Sequence, residues 1–300
     1  MQTEVMSNSP KSIVWRDYLE LCKPRVVLLM LLTVLVGMYM AAPGWVDLSL
    51  LFSSLMGIGF CAGSAAAINH LVDRHIDSIM ARTKKRPVAH GRVSVIQALI
   101  FAAVMGALGL TILVFFVNQL TALLTFITLI GYAGVYTGYL KRATSQNIVI
   151  GGLAGAAPPL LGWTAVTNHL DPQALLFVLI IFTWTPPHFW ALAIYRFEEY
   201  QHAQIPMLPV THGIQFTKLN IYLYTILLLV VSLLPFMIGM SGGLYLLGAT
   251  ALGLRFLWWA HKLYHTEKSV VAMQTFRFSI VYLMLLFVFL LLDHYFKVLL

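Results

Sequence analysis

Charge is scarce in this chain of 300 residues. Only 10% are Asp, Glu, Lys or Arg, against 60% hydrophobic, and the mean hydropathy is +0.84. So little charge cannot keep a soluble globular domain or a disordered segment in water, which leaves lipid as the expected solvent. Cysteine is scarcer still. Cys22 and Cys61 fall in different segments, which excludes a disulfide framework and a thiolate metal site and leaves both as packing residues. The start also lacks a short apolar core with a small-residue cleavage site, so residues 1–21 read as a cytosolic tail.

What the chain has is one apolar run after another. Nine stretches approach the roughly 20 residues that a hydrocarbon layer of about 30 Å demands, near residues 26–42, 48–68, 95–117, 120–140, 148–166, 174–195, 219–240, 242–260 and 278–296. The expected fold class is all-α, a polytopic membrane protein with nine transmembrane helices in a duplicated bundle. Every Lys and Arg except Lys297 falls in the tail or an even-numbered connection, so the amino terminus is expected in the cytoplasm and the carboxyl terminus outside. The net charge of +8 is then a topology signal. Membrane lipid is an expected partner and nucleic acid is not. The two long connections, residues 69–94 and 196–218, are both cytoplasmic and hold most of the polar chemistry, giving a single domain over 1–300 with its active face inside.

Asn69, Asp73 and Asp77 stand four residues apart in the first of these connections. Each step of four rises about 6 Å and turns about 40° net on a helix, so the three oxygens form a short acidic ridge. Such a ridge suits a hard divalent cation, Mg²⁺. Arg82, Lys84, Lys85 and Arg86 follow at once, and cations of this kind grip phosphate oxygens, Arg better than Lys. Together they read as a cradle for Mg²⁺ and diphosphate. The plainer reading pairs the acids with Arg74 and Arg82 and gives the basic run to topology, yet acids clustered at an intramembrane helix end favour function.

A repeat supports a second site. Pro87-Val88-Ala89-His90-Gly91 recurs as Pro209-Val210-Thr211-His212-Gly213, and the same shift lays Arg74 on Arg196 and Asp77 on Glu199. Duplication predicts two acidic helix ends facing each other across a shared cavity. His90 and His212, each followed by glycine, read as turn formers. A diphosphate leaves readily only when its developing charge is neutralised, which metal-bound carboxylates and cations do. An apolar pocket among membrane helices would keep the resulting carbocation from water.

The run NHLVDRHID with its trailing RPVAHG resembles the first aspartate-rich motif of UbiA-type intramembrane prenyltransferases. The blocks LCKPRVVLLM, YTGYLKRATSQNIVIGGLAGAAPPLLGW and TWTPPHFWALAIYRFEEYQHAQIPMLPVTHG are similar to the haem-modifying branch of that family. The resemblance runs from about residue 17 to the last helix. It implies transfer of a farnesyl group from farnesyl diphosphate to a vinyl group of haem B, giving haem O, with Mg²⁺ as cofactor. It also implies a bacterial inner membrane, and haem-handling or terminal-oxidase assembly proteins as partners. Asn69, Asp73 and Asp77 then hold Mg²⁺ and diphosphate. At the second motif, where the family has Asp-Tyr, this chain reads Glu199-Tyr200, which makes Glu199 a catalytic and metal candidate. Tyr195 stands where other branches have a second carboxylate, and it supplies no charge near neutral pH. The resemblance adds Tyr136, Lys141 and Arg142 to Arg82 and Arg86 as diphosphate contacts, and it marks His188 for haem binding.

His188 follows Pro186-Pro187, which tend to kink or open the sixth helix. His70 and His75 occupy other helical faces, as supporting or surface groups, while His261 and His265 read as a solvated face. Gly151, Gly152 and Gly155 give the fifth helix a packing face, and Pro158-Pro159 interrupt it. Trp163, Trp184 and Trp190 stack on a macrocycle or lie at an interface; both uses stay open. The alternative acceptor is a small aromatic or quinone precursor. A secondary transporter would gather its polar residues near the bilayer midplane instead, and a non-catalytic haem scaffold would not need the acids.

Overall fold

Lipid leaves backbone groups no outside partner, so an uninterrupted helical ladder is the natural way to satisfy them. The computed structural model describes residues 15–80 and 83–299, and helix is the regular structure found among them. In chain order the elements are α1 Trp15–Leu21, α2 Pro24–Ala41, α3 Leu48–Ile79, α4 Val95–Phe116 and α5 Gln119–Ile130. A π-helical stretch, Gly131–Leu140, continues α5 into α6 Lys141–Ala143. There follow α7 Asn147–Ala156, α8 Pro158–Thr167, α9 Pro172–Tyr195, α10 Phe197–His202, α11 Leu208–His212, α12 Ile214–Met237, α13 Gly243–Tyr264 and α14 Ser269–Leu299. Side-chain caps set several starts: Asp47 accepts the Leu50 N–H at 3.0 Å, Ser94 and Gln97 form a capping box, and Asn118 accepts from Thr121 at 2.8 Å.

Eight spans among the described residues are long and apolar enough to cross a membrane: α2, α3, α4, α5 through α6, α7 with α8, α9, α12 and α14. The ninth expected segment is α13, a helix of 22 residues packed between α12 and α14. Arg255, lying over the Trp258 and Trp259 rings, dilutes its apolar character. Around the bundle, side chains such as Ile96, Phe115, Leu123 and Leu247 are exposed, a surface suited to lipid.

Close helix approach depends on small residues. A Cβ on Gly37 of α2 would sit 2.1 Å from the Pro159 carbonyl oxygen, and one on Gly162 of α8 would sit 2.0 Å from that of Val34. Pro158 opens α8 and divides the fifth span into α7 and α8, as expected. Pro186 and Pro187 do not open the sixth. There α9 runs unbroken, and Thr183 and Thr185 each donate a side-chain bond of 2.7 Å to the carbonyls of Leu179 and Ile181.

Part of the expected tail is built into the bundle. Helix α1 docks on α3 and α4 with Leu21 fully buried, and Arg92 pairs with Asp17 at 2.7 Å and Glu20 at 3.2 Å. Residues 87–91 of the first repeat copy form a turn, whereas residues 209–212 of the second lie in α11. Each copy ends on a glycine, Gly91 at φ 75° and Gly213 at φ 85°, in the left-handed region where glycine costs least. Buried Asp293 of α14 is structural: it accepts the backbone N–H groups of Gly242 and Tyr245 at the start of α13.

Candidate active site

Helix α3 runs 32 residues to Ile79, so Asn69, Asp73 and Asp77 project from one continuous helix, as the spacing predicts. All three are buried, with 4%, 1% and 3% exposure. Buried carboxylates need partners. Lys141 Nζ donates to Asp73 Oδ2 at 2.6 Å and Asn69 Nδ2 donates to the same oxygen at 3.0 Å, while Asp73 Oδ1 is buried without a hydrogen-bond partner among the described residues. Asp77 receives Arg86 Nη1 on both oxygens, at 2.9 and 2.8 Å. Asn69 Oδ1 accepts from Lys23 Nζ at 2.5 Å, and its Nδ2 also reaches Thr137 Oγ1 at 3.3 Å.

Three cations therefore converge on two carboxylates, an imbalance that favours a further anion. Lys23 feels it most. Burial, together with neighbouring Arg86 and Lys141, pushes its ammonium down to about 7 against the pull of Asp73 and Asp77. The backbone holds Lys23 at φ 49°, directly before Pro24. In the basic run, Lys84 and Lys85 are exposed while Arg86 turns inward. Arg82 lies outside the described residues. Arg142 is exposed and donates to the Val72 carbonyl at 3.0 Å, which places it at the rim.

The π-helical stretch shapes the wall of the site. Its wider turn lets Thr137 donate to the Tyr132 carbonyl at 2.9 Å, and it stacks Tyr132 on Tyr136 with centroids 5.6 Å apart. A Cβ on Gly151 of α7 would lie 2.1 Å from the Tyr136 ring, so glycine there makes room for the tyrosine. Below these rings opens a cavity of about 580 Å³ that runs from Lys23 and Arg25 at its mouth to Ile181 and Leu283. Its lining is mostly apolar, with Trp184, His188 and Phe276 on one side.

The second connection behaves differently from the first. Glu199 on α10 accepts from Arg196 Nη1 at 2.9 and 3.1 Å and its side chain is 34% exposed. Among the described residues Arg196 satisfies this carboxylate, and no residue of the first connection is hydrogen-bonded to it. Its neighbour Tyr200 is buried, and Tyr136 has both Tyr200 and Asp73 as electrostatic neighbours. Tyr195 is exposed.

The remaining candidates sort by burial. His70 is buried, not a surface group, and neither ring nitrogen has a hydrogen-bond partner; His75, His261 and His265 are exposed. Trp163 donates to Asp171 at 2.6 Å near the end of α8, Trp190 packs edge-on against Tyr224, and Trp184 lines the cavity. Lys23, Tyr132 and Thr137 were not singled out from the sequence as site residues. Lys23 had a signal in LCKPR, but at the start of a span it reads as topology.

Among the described residues no group of three His, Cys, Asp or Glu converges on one point. A caged transition metal is thus a poor fit, and Mg²⁺ a good one. It commonly takes one or two carboxylates and completes its shell with water and phosphate oxygens. Asp73 Oδ1, buried and without a hydrogen-bond partner among the described residues, could take such an ion, with Asp77 one turn along.

Comparison with known proteins agrees with this chemistry. The chain is 81% identical over 296 residues to the protoheme IX farnesyltransferase of Legionella pneumophila (strain Corby), covering 99% of this chain and 100% of that one. It is 63% identical over 284 residues to the protein of the same name from Marinobacter nauticus, covering 95% and 94%. Among solved structures, it superposes on a digeranylgeranylglyceryl phosphate synthase with a TM-score of 0.79 at 17% identity, covering 93% of this chain and 98% of that one. A UbiA homologue from Archaeoglobus fulgidus bound to GPP and Mg²⁺ gives 0.61 at 14% identity, covering 91% and 99%. Both likenesses establish the fold. Residues 30–292 match the UbiA prenyltransferase family, and the chain belongs to that family.

Proposed function

We propose that this chain transfers the farnesyl group of farnesyl diphosphate to a vinyl group of haem B, making haem O. One observation carries the reading: a buried, cation-rich pair of carboxylates meets the mouth of a largely apolar cavity at Lys23. The polar end suits a diphosphate and the apolar end a prenyl chain. The names of the curated relatives supply the acceptor and the chain length. The alternative, a small aromatic acceptor, has no such support.

Lys23, Arg86 and Lys141 bind the diphosphate oxygens, with Tyr136 donating from the wall and Arg142 contributing at the rim; Arg82 remains a diphosphate contact on the sequence resemblance alone. Asn69, Asp73 and Asp77 are the residues that would hold Mg²⁺, and Glu199 is the candidate from the second copy once it releases Arg196. Bound there, Mg²⁺ supplies Lewis-acid neutralisation of the leaving group. The allylic C–O bond breaks with its electron pair passing to the diphosphate. The stacked Tyr132 and Tyr136 rings stabilise the farnesyl cation by about 0.5–2 kcal/mol each, and the apolar wall excludes water from it. Attack by the terminal vinyl carbon moves the positive charge to the carbon next to the macrocycle. Once the farnesyl cation is consumed, water from the polar mouth adds there and its proton passes to the released diphosphate, leaving the hydroxyl. His188, on the cavity wall, is the haem contact.

This reading implies a site at the cytoplasmic face of a bacterial inner membrane, an orientation that the Lys and Arg bias of the connections supports, and haem-handling or terminal-oxidase assembly proteins are the partners such a product implies. The test is mass analysis of the pigment extracted after incubating purified protein with haem B, farnesyl diphosphate and Mg²⁺. A gain of one farnesyl group plus water supports the proposal. Unmodified haem, with transfer to an added hydroxybenzoate, would show the acceptor to be wrong.

A further inference from the structure

His188 and Trp184 reach from α9 to a single residue of α14. Ser279 is fully buried; its carbonyl accepts the Trp184 indole N–H at 2.8 Å, and its hydroxyl oxygen lies 2.6 Å from His188 Nδ1. A serine hydroxyl has one hydrogen to give. Ser279 gives it to the Phe276 carbonyl at 2.6 Å. Toward His188 the oxygen must therefore accept, so Nδ1 carries the ring proton and Nε2 keeps a bare lone pair. Trp184 and Phe276 both stack on the imidazole, with centroids 4.1 and 4.5 Å away. A ring flip would break the Ser279 bond from inside this packing. His188 lines the cavity, and no hydrogen bond to Nε2 is found among the described residues.

We infer that Ser279 is a positioning residue: it locks His188 in the Nδ1–H tautomer, so that Nε2 serves as an axial ligand to the iron of the haem acceptor. The inference rests on the reading of haem as acceptor. An imidazole whose far nitrogen donates to a fixed acceptor is a stronger and better oriented ligand. Ligation at a fixed point on the cavity wall would set the depth of the macrocycle relative to the prenyl cation. The same tautomer prevents neutral His188 from donating a proton through Nε2.

The test uses the purified full-length protein with ferrihaem, read by optical absorption and electron paramagnetic resonance. Wild type should show a histidine-ligated spectrum that His188→Ala abolishes. Ser279→Ala should bind ferrihaem about tenfold more weakly with an altered ligand signature, and Ser279→Thr, which keeps the hydroxyl, should restore both. A packing role alone would change yield without moving the signature. If Ser279→Ala does not insert, ¹⁵N NMR of histidine-labelled wild type in lipid reads the tautomer directly, and a proton on Nε2 overturns the inference. A wild-type spectrum and affinity in Ser279→Ala refute the role of Ser279 alone. An unchanged spectrum in His188→Ala removes the ligation as well. Ferrihaem that fails to bind wild type at all removes the acceptor reading, and this inference with it.

Discussion

Lys141 and Asp73 meet at 2.6 Å on one carboxylate oxygen, Oδ2, while the other, Oδ1, stays buried without a partner among the described residues. One contact fixes the carboxylate and the other oxygen remains available. An unpartnered buried oxygen costs on the order of 1–3 kcal/mol, a cost that an incoming cation would remove.

Asp73→Ala should therefore lower kcat/KM by at least about 10²–10³-fold, the scale of losing one preorganised electrostatic group. Membrane insertion should be unaffected, as judged by expression and detergent elution. Turnover at the wild-type rate with Mg²⁺ present would remove Asp73 from the site.

Arg86 and its exposed neighbours separate binding from topology. Arg86→Gln should raise KM for farnesyl diphosphate by about tenfold or more, since it deletes a charge-assisted contact of about 1.5–3 kcal/mol. Lys84→Gln and Lys85→Gln should leave KM within about twofold, because both side chains are exposed. Equal effects at all three positions would mean that the run acts only through its summed charge.

Gly151 and Gly155 lie on the same small-residue helix but face different surroundings. A methyl group on Gly151 would enter the Tyr136 ring, whereas nothing lies within 4 Å of one on Gly155. Gly151→Ala should cost about 1–3 kcal/mol of stability or displace Tyr136, with activity falling about tenfold. Gly155→Ala, whose methyl would project into the cavity, should be silent in thermal unfolding.

The fold was legible because lipid imposes one simple demand, a run of apolar residues long enough to span it. The acidic ridge was legible because spacing by four fixes a helical face wherever α3 continues. Lys23 was not, since a lysine at the start of a span satisfies topology before α2 and α3 pack and bring it to Asn69. Thr137 was hidden by the π-helical turn, which hydrophobic spacing does not announce. Pro186-Pro187 lie inside α9, which continues past them as helix, so they do not open it. The repeat aligned Glu199 with Asp77, but Arg196, three residues before it, takes that carboxylate.

Glu199→Gln should accordingly be milder than Asp73→Asn, with less than about a tenfold loss of kcat against the larger loss at Asp73, measured in parallel at saturating Mg²⁺. Equal losses would give the second copy a metal role as strong as the first.

The most direct measurement is a structure of the protein with Mg²⁺ and a farnesyl diphosphate analogue that cannot ionise. The expected result is Mg²⁺ on Asp73 Oδ1, diphosphate oxygens against Lys23, Arg86 and Lys141, and the farnesyl chain in the cavity beside Tyr136. A headgroup bound elsewhere, with Asp73 still paired to Lys141 and free of metal, would contradict the account.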